Sequence, residues 1–260
     1  MQDKLELLYR TITNLIKKSE APVFAVLDFD NTCIVNDITE ATLAYMVRNN
    51  LFRDKNLLGS KFKDAEEETY SKAVFENYYK LLDGGKTKEA YEFVSKILSG
   101  FSIDEISLLV ERVIKFEGEN MTITELFGRK IAKGIRPREQ ITELIGFLKN
   151  NGVEVWIISA SPEMLVCGAM KHFNIEANLI GIRNTVVGGK VTSGLEKPLS
   201  IYEGKVDCIK KFINPKKRPL LGVGDSMNDM PMLEYCEIKA VVDRQNSLAE
   251  KARQNNWFLI

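Results

Sequence analysis

Four short apolar runs, each rich in β-forming residues, stand out in the pattern of hydrophobic and polar positions. Each run ends at or close to a polar side chain: 23–27 before Asp28, 153–158 before Ser159, 220–223 before Asp225 and 238–242 before Asp243. Segments with helical periodicity follow them, such as 162–173 and 231–236. This alternation predicts an α/β fold built on a mostly parallel sheet. Because such sheets bind ligands beyond the carboxyl ends of their strands, we expect the four polar residues to lie together there.

The pattern changes between residues 51 and 132, where no buried strand run occurs. Apolar residues there recur at helical spacing, as in Phe75, Tyr78, Tyr79 and Leu82. Ser102 and Glu105 have the spacing of a helix capping box. We therefore predict a core domain of residues 1–50 and 133–260 and an all-helical domain of residues 51–132, called the inserted segment below. Further on, 185–192 predicts a small β-hairpin with a Gly-Gly turn.

Composition removes several classes of function. The chain has 260 residues, with 36 basic and 36 acidic side chains and a formal net charge of zero, so no basic face for nucleic acid is expected. Its four cysteines are scattered and His172 is the only histidine, which excludes an ordinary zinc site and fits a reducing compartment. Residues 1–20 mix charged and apolar side chains at helical spacing, so neither a signal peptide nor a membrane span is predicted. We expect a soluble, cytoplasmic protein whose partner is a small molecule.

Candidate chemistry centres on two aspartates, Asp28 and Asp30, at the end of the first apolar run. Two carboxylates this close repel each other and require a cation or a shared proton. Asp225 supplies a third carboxylate from another strand end, and a set of oxygen ligands of this kind suits Mg²⁺. Ser159 adds a hydroxyl donor and Lys205 a cation at a predicted helix start. Together they supply the parts that phosphoryl transfer needs.

Taken singly, each of these residues has a more ordinary explanation. An aspartate or serine after a strand is usually a helix cap or a turn residue, and a lysine is usually solvated at the surface. What favours a site is that all of them occur at predicted strand ends or helix starts in one chain.

The same residues resemble the motifs of the haloacid dehalogenase superfamily. The segment 28–32 is similar to its DxDxT signature, Ser159 to its second motif, Lys205 to its third, and 224–229 to its fourth, GDxxxD. The resemblance extends from residue 23 to residue 260. It implies a Rossmann-like core with a helical cap, which the inserted segment would form.

The resemblance also implies roles for individual residues. Asp28 would be the nucleophile that forms an aspartyl-phosphate, and Asp30 the general acid and base. Mg²⁺ would be held by Asp28, the Asp30 main-chain carbonyl and Asp225, with Asp229 behind it. The phosphoryl group would be bound by residues from all four motifs, namely Asn31, Thr32, Ser159, Ala160, Lys205 and Asn228. Dehalogenases lack the aspartate at position 30, so its presence favours hydrolysis of phosphate esters, and the chain is expected to be a phosphatase.

The substrate is predicted from the inserted segment and the residues just after Asp28. The inserted segment resembles the caps of phosphoserine and phosphocholine phosphatases. Asn31, Glu40 and the segment 158–163 favour the phosphocholine branch, whereas the Asn228-Asp229 pair is similar to phosphoserine phosphatases. Aromatic faces and carboxylates bind a quaternary ammonium group, and the candidates are Asp37, Glu40, Tyr78 and Tyr91. Aromatic residues at helical spacing are more often part of a helical core than of a binding cage.

Phosphoserine would need a cation for its carboxylate, for which Arg48, Arg53 and Lys61 are the candidates. We predict an amine-bearing ester, with phosphocholine as first choice and phosphoserine as the alternative. A phospho-aspartate signalling protein or a non-catalytic phosphate-binding protein belongs to a different class. Signalling receivers are about half as long and lack the second aspartate, and the complete set of motif residues argues against loss of catalysis.

Overall fold

The computed structural model describes residues 2–19 and 22–260. In chain order the helices and strands are α1 (Gln2–Lys18), β1 (Phe24–Leu27), β2 (Ile34–Val35), α2 (Ile38–Arg48), α3 (Glu67–Asp83), α4 (Thr87–Ser95), α5 (Ile103–Glu117), β3 (Thr122–Leu126), β4 (Arg129–Lys133), β5 (Arg136–Pro137), α6 (Glu139–Asn150), β6 (Glu154–Pro162), α7 (Glu163–His172), β7 (Asn178–Ile182), β8 (Asn184–Val187), β9 (Lys190–Leu195), α8 (Glu203–Cys208), β10 (Leu221–Gly224), α9 (Met230–Tyr235), β11 (Ile238–Val241), α10 (Ser247–Gln254) and β12 (Phe258–Leu259). Short 3₁₀ turns occur at Ser60–Phe62, Lys96–Leu98 and Met227–Asp229, and a π-helical turn, Ile209–Ile213, continues α8. Within the described ranges, no helix has both the length and the apolar character that crossing a bilayer requires.

The central sheet has six strands in the order β12-β11-β10-β1-β6-β7, and all neighbours are parallel. From β1 the chain adds β6 and β7 on one side, then returns to add β10, β11 and β12 on the other. Ligands bind at such a reversal, here at the carboxyl ends of β1 and β10. The predicted α/β fold with a parallel sheet is confirmed.

Both faces of the sheet are covered, as β1 illustrates. All four of its residues are buried. Ala25 and Leu27 join the main hydrophobic core, whereas Phe24 and Val26 pack on the other face in a cluster that includes Met232. Because side chains alternate between the faces of a strand, burial on both faces requires a continuous apolar run, which is why β1 is recognisable in the sequence.

Two edge strands, β7 and β12, were not predicted, and strand β6 ends later than predicted. Strand β7 contains a glycine and β12 has two residues, so neither gives a strong apolar run. Strand β6 continues beyond Ser159 to Pro162, with a register shift between Ile158 and Pro162. Irregular pairing of this kind commonly redirects side chains near active sites, and here it falls on the segment that carries Ser159.

The inserted segment is helical through α3, α4 and α5, and the predicted capping box of Ser102 and Glu105 is confirmed. After Glu117, however, the chain forms the antiparallel hairpin β3–β4. Its two turn residues, Phe127 and Gly128, both have positive φ, as a tight hairpin turn requires. The prediction of an all-helical insertion is therefore incomplete. Most of the hairpin's residues are exposed or only half-buried, so it has no apolar run that would indicate a strand.

The predicted hairpin of residues 185–192 is confirmed as β8–β9, with Gly188 and Gly189 in the turn at positive φ. This hairpin also contacts the inserted segment. The Gly100 N–H donates to the Val191 carbonyl, and the Val191 N–H donates to the Phe101 carbonyl, each at 2.8 Å. Main-chain hydrogen bonds therefore join the β8–β9 hairpin to the chain between α4 and α5.

Candidate active site

The site begins with a tight turn at the end of β1. The Asp28 N–H donates to the Val223 carbonyl of β10 at 2.9 Å, so the sheet pairing extends up to this residue. Directly afterwards, the Phe29 carbonyl accepts hydrogen bonds from the N–H groups of residues 32, 33 and 34. Asn31 sits in this turn with a φ of 59°, a conformation that asparagine tolerates better than most residues. As a result, Asp28 and Asp30 both face one cavity.

Lys205 is completely buried between two carboxylates. Its Nζ donates to Asp28 Oδ1 and to Asp229 Oδ1, at 2.6 Å in each case. The Thr32 hydroxyl donates to the other oxygen of Asp28, Oδ2, at 3.1 Å. Burial would lower the pKa of Lys205, but the charges of Asp229 and Asp28 outweigh burial and raise it, so the side chain is a cation. Both oxygens of Asp28 are thereby held in place.

Three buried carboxylates meet at this edge of the sheet. Oxygens of Asp28, Asp225 and Asp229 lie within 4.8 Å of one another. Burial and the charge of Asp229 raise the pKa of Asp28 to about 8, although the Lys205 charge opposes them. Burial and Asp229 likewise raise the pKa of Asp225 to about 6. A cation near these groups would relieve the repulsion that raises both pKa values.

The loop after β10 is organised around Asp229. Its Oδ2 accepts hydrogen bonds from the N–H groups of Asp225 at 3.0 Å and Ser226 at 3.1 Å, while its Oδ1 is bound by Lys205. Gly224 permits this close approach, since a Cβ there would lie 2.5 Å from the Cβ of Asp229. Asp229 therefore fixes the loop and Lys205 together.

Asp30 is surrounded by donors. Its Oδ1 accepts the Ile38 N–H at 2.7 Å, and its Oδ2 accepts the Ser161 hydroxyl at 2.6 Å. The Ser159 hydroxyl is further away, 3.4 Å from Oδ2. Burial, followed by the charge of Asp37, raises the pKa of Asp30 well above its usual range, which favours the protonated acid.

Ser161 is a site residue that was not predicted from the sequence. The sequence does contain a signal for it. Residues two apart on a strand face the same side, so Ser161 would face the same side as the predicted site residue Ser159. Ser161 lines the cavity beside Ser159, and its N–H donates to the Ser159 hydroxyl oxygen at 3.0 Å.

The cavity has a volume of about 100 Å³ and lies between the sheet edge and the inserted segment. The following residues line it: Asp28, Asp30, Asn31, Asp37, Thr39, Tyr78, Tyr91, Val94, Ser159, Ala160, Ser161, Asp225, Ser226, Asn228 and Arg244. Tyr78, Tyr91 and Val94 come from α3 and α4, so the inserted segment forms one wall. Ten of the predicted site residues thus share the cavity.

Four predicted site residues do not line the cavity. Thr32 and Lys205 are completely buried, and both donate a hydrogen bond to the Asp28 carboxylate. Asp229 is buried and does not line the cavity. Glu40 contacts a cavity-lining residue, Tyr78, whose hydroxyl donates to Glu40 Oε1 at 3.1 Å.

The acidic end of the cavity is formed at the start of α2. Asp37 caps this helix, since its Oδ1 accepts the N–H groups of Thr39 at 2.8 Å and Glu40 at 2.9 Å. Burial and the charge of Asp37 raise the pKa of Glu40 to about 7. Two carboxyl groups and the Tyr78 and Tyr91 side chains thus lie in or next to the cavity wall.

The three candidate partners for a substrate carboxylate lie elsewhere. Arg48 donates to Thr124 Oγ1 at 2.9 Å, Arg53 forms an ion pair with Glu105 at 2.6 Å, and Lys61 lies 5.8 Å from the Phe62 ring centroid. None of them lines the cavity.

Strand β11 ends at Val241, one residue before the end of the predicted run 238–242. Asp243 was expected at the site, but its carboxylate pairs with Arg253 and does not line the cavity. The next residue, Arg244, does line it, and its Nη1 donates to Asp225 Oδ2. Successive side chains of an extended chain point in opposite directions, so a shift of one residue changes which one faces the site.

Comparisons with known proteins agree with this geometry. A family model described as haloacid dehalogenase-like hydrolase matches residues 25–234. The chain is 29% identical over 241 residues to a phosphorylcholine phosphatase from Pseudomonas aeruginosa, covering 78% of this chain and 68% of that protein. It is 24% identical over 241 residues to a histidinol-phosphatase from Neisseria meningitidis, covering 90% and 96%.

Solved structures agree with the fold. A protein of unknown function from Anaerococcus prevotii superposes with a TM-score of 0.73 at 23% identity, covering 99% of this chain and 91% of that one. A substrate-bound phosphoserine phosphatase superposes with a TM-score of 0.56 at 18% identity, covering 93% and 94%.

Proposed function

We propose a substrate and a mechanism for this chain, which belongs to the haloacid dehalogenase-like hydrolase family and is a phosphatase. The proposed reaction is Mg²⁺-dependent hydrolysis of a small amine-bearing phosphate ester through an aspartyl-phosphate on Asp28, with phosphorylcholine as first choice. The observation that carries it is a single cavity lined by Asp28 and Asp30 together with Asp37, Tyr78 and Tyr91.

The buried carboxylates fit a magnesium ion. Clustered oxygen donors are the ligands that Mg²⁺ prefers, and the ion would offset the repulsion among Asp28, Asp225 and Asp229. We propose that Asp28, Asp225 and the Asp30 main-chain carbonyl hold it. When bound, Mg²⁺ supplies positive charge for the phosphoryl oxygens.

In the first half-reaction, an Asp28 oxygen attacks phosphorus and the bond between phosphorus and the ester oxygen breaks. Asp30 gives its proton to the departing oxygen, so the alcohol leaves neutral. The raised pKa of Asp30 supports this role, because the residue must hold a proton before the bond breaks. Lys205 and Thr32 orient the attacking carboxylate.

In the second half-reaction, water attacks the aspartyl-phosphate and Asp30 accepts its proton. The bond between phosphorus and Asp28 breaks, which restores the carboxylate and releases inorganic phosphate. Ser159, Ala160, Asn31 and Asn228 line the cavity where they can donate hydrogen bonds to the phosphoryl group. The Asn228 Oδ1 accepts the Tyr202 N–H at 2.8 Å, which leaves its amide NH₂ as a donor.

We further propose that residues 1–50 and 133–260 form the catalytic core and that residues 51–132 form a cap carrying substrate specificity. Support comes from the cavity wall, which receives Tyr78, Tyr91 and Val94 from this segment. Covering the site would restrict the aspartyl-phosphate to reaction with a positioned water.

The choice of an amine ester follows from charge. Asp37 lies on the wall and Glu40 beside it, and tyrosine faces attract quaternary ammonium groups. Asp37 and Glu40 disfavour a substrate carboxylate at this wall, and Arg48, Arg53 and Lys61 do not line the cavity. The names of two relatives, phosphorylcholine phosphatase and histidinol-phosphatase, refer to phosphate esters that contain nitrogen.

Phosphate release from a panel of esters tests the proposal. The panel contains phosphorylcholine, phosphoethanolamine, histidinol phosphate, phosphoserine and a sugar phosphate, each assayed with Mg²⁺. We expect the amine esters without a carboxylate to give kcat/KM values roughly tenfold or more above phosphoserine and the sugar phosphate. A sugar phosphate as the best substrate would contradict the assigned substrate class and leave the catalytic residues unaffected.

We expect the ionisation of Glu40 to make the KM for phosphorylcholine depend on pH. Because its pKa is raised to about 7, Glu40 is mostly protonated at pH 6 and mostly ionised at pH 8. The negative charge attracts a cationic substrate, so the KM for phosphorylcholine should fall as pH rises through about 7. Glu40→Gln should raise the KM at pH 8 roughly threefold to tenfold and abolish this trend.

The matched control is Glu89→Gln, which changes an exposed glutamate of α4. A KM trend that persists in Glu40→Gln would exclude Glu40 as its origin.

A further inference from the structure

Arg244 lies in the cavity wall, and no step of the proposed reaction uses it. Its guanidinium forms an ion pair with the Asp225 carboxylate. The Arg244 side chain is 42% exposed, whereas that of Asp225 is 5% exposed. A partly solvated cation therefore covers a buried carboxylate that we assign to the metal.

The protein supplies its own counter-charge for each of the three clustered carboxylates. Lys205 binds Asp28 and Asp229, and Arg244 binds Asp225. The two cations differ in burial, because Lys205 is enclosed and Arg244 reaches solvent. Only Arg244 can leave its carboxylate for water without exposing the interior.

The main chain of Asp225 is held in place by residues other than Arg244. The Asp225 N–H is held by Asp229 Oδ2 at 3.0 Å, and its carbonyl accepts the side-chain amide of Asn246 at 2.7 Å. These bonds fix the main chain from both sides. The guanidinium is therefore not needed to place the main chain, and its ion pair acts on the carboxylate itself.

We propose that Arg244 is a built-in counter-ion that competes with the divalent cation for the Asp225 carboxylate. This inference rests on the metal site of the proposed function. A cation bonded to a carboxylate weakens the binding of a second one, and the effect is reciprocal, so metal binding loosens the Arg244 contact. Arg244 thereby stabilises the metal-free protein and lowers its metal affinity.

Mn²⁺ binding to the full chain, followed by electron paramagnetic resonance, tests this inference without an activity assay. We expect Arg244→Gln to bind Mn²⁺ roughly threefold to tenfold more tightly than the unchanged protein, and Arg244→Lys to stay close to it. Arg253→Gln is the matched control, since Arg253 is an arginine of similar exposure paired with Asp243 outside the cavity. It removes the same charge and should leave the dissociation constant unchanged.

Thermal unfolding gives a second measure. Arg244→Gln should lower the Tm of the metal-free protein and show a larger rise in Tm on adding Mn²⁺. Unchanged or weaker Mn²⁺ binding in Arg244→Gln, or equal tightening in Arg253→Gln, would overturn the inference. If the inference fails in this way but Asp225→Asn still abolishes Mn²⁺ binding, the proposed metal site survives. If neither the unchanged protein nor any variant binds Mn²⁺, the proposed metal site and the inference both fail.

Discussion

Asp28→Asn is expected to lower phosphate release from every ester in the panel by at least about ten-thousand-fold. An amide oxygen is a poor nucleophile, so the bond to phosphorus would not form. The change keeps the size of the side chain and an oxygen that can accept the Lys205 or Thr32 hydrogen bond. Folding should therefore persist, which circular dichroism and thermal unfolding can verify. The turnover measurement should use saturating Mg²⁺, so that weaker metal binding does not account for the loss.

Asp243→Asn is the matched control for Asp28→Asn. It makes the same chemical change at the same edge of the sheet, in a carboxylate that pairs with Arg253 outside the cavity. We expect it to retain turnover within about twofold of the unchanged protein, as is usual for a surface substitution. Turnover by Asp28→Asn comparable to that of Asp243→Asn would rule out Asp28 as the nucleophile.

Lys205→Met is expected to cause the largest loss of stability, about 3–5 kcal/mol in the free energy of unfolding. Methionine fills similar space but leaves Asp28 and Asp229 buried without their shared cation. Urea unfolding in the absence of metal measures the loss, and Mg²⁺ should restore part of it. Lys210→Met, at an exposed position of the same helical segment, should cost less than about 0.5 kcal/mol.

A double-mutant cycle identifies the source of the Lys205→Met effect. Asp229→Asn removes one of the two charges that Lys205 neutralises, so the double variant should lose less stability than the two single variants together. Additive losses would indicate that lost packing, and not unpaired charge, destabilises Lys205→Met.

The sequence was most informative where function depends on strand ends. Asp28, Ser159 and Asp225 each follow or end a run that is apolar because both faces of the sheet are covered. Their convergence follows from parallel topology alone, without knowledge of packing. The hairpin β3–β4 and the two-residue strand β12 carry no such signal, because their residues are largely exposed or too few.

The direction in which individual side chains point could not be predicted from the apolar pattern of the sequence. Tyr70 and Tyr78 share the apolar spacing of α3, yet the Tyr70 hydroxyl donates to the Asp54 carbonyl, whereas Tyr78 faces the cavity. Helical periodicity identifies a buried face but not what that face meets. Similarly, the choice between Asp243 and Arg244 depends on where β11 ends, which sequence patterns locate only to within a few residues.

The β8–β9 hairpin bears on how enzymes of this architecture diversify. Its hydrogen bonds to the inserted segment at Gly100, Phe101 and Val191 use main-chain atoms, so they involve no side chain of the cavity wall. If the inserted segment selects the substrate, as we propose, mutations on the cavity side of α3 and α4 would change substrate preference without breaking these hydrogen bonds. The residues that perform the chemistry could then stay constant while the substrate changes.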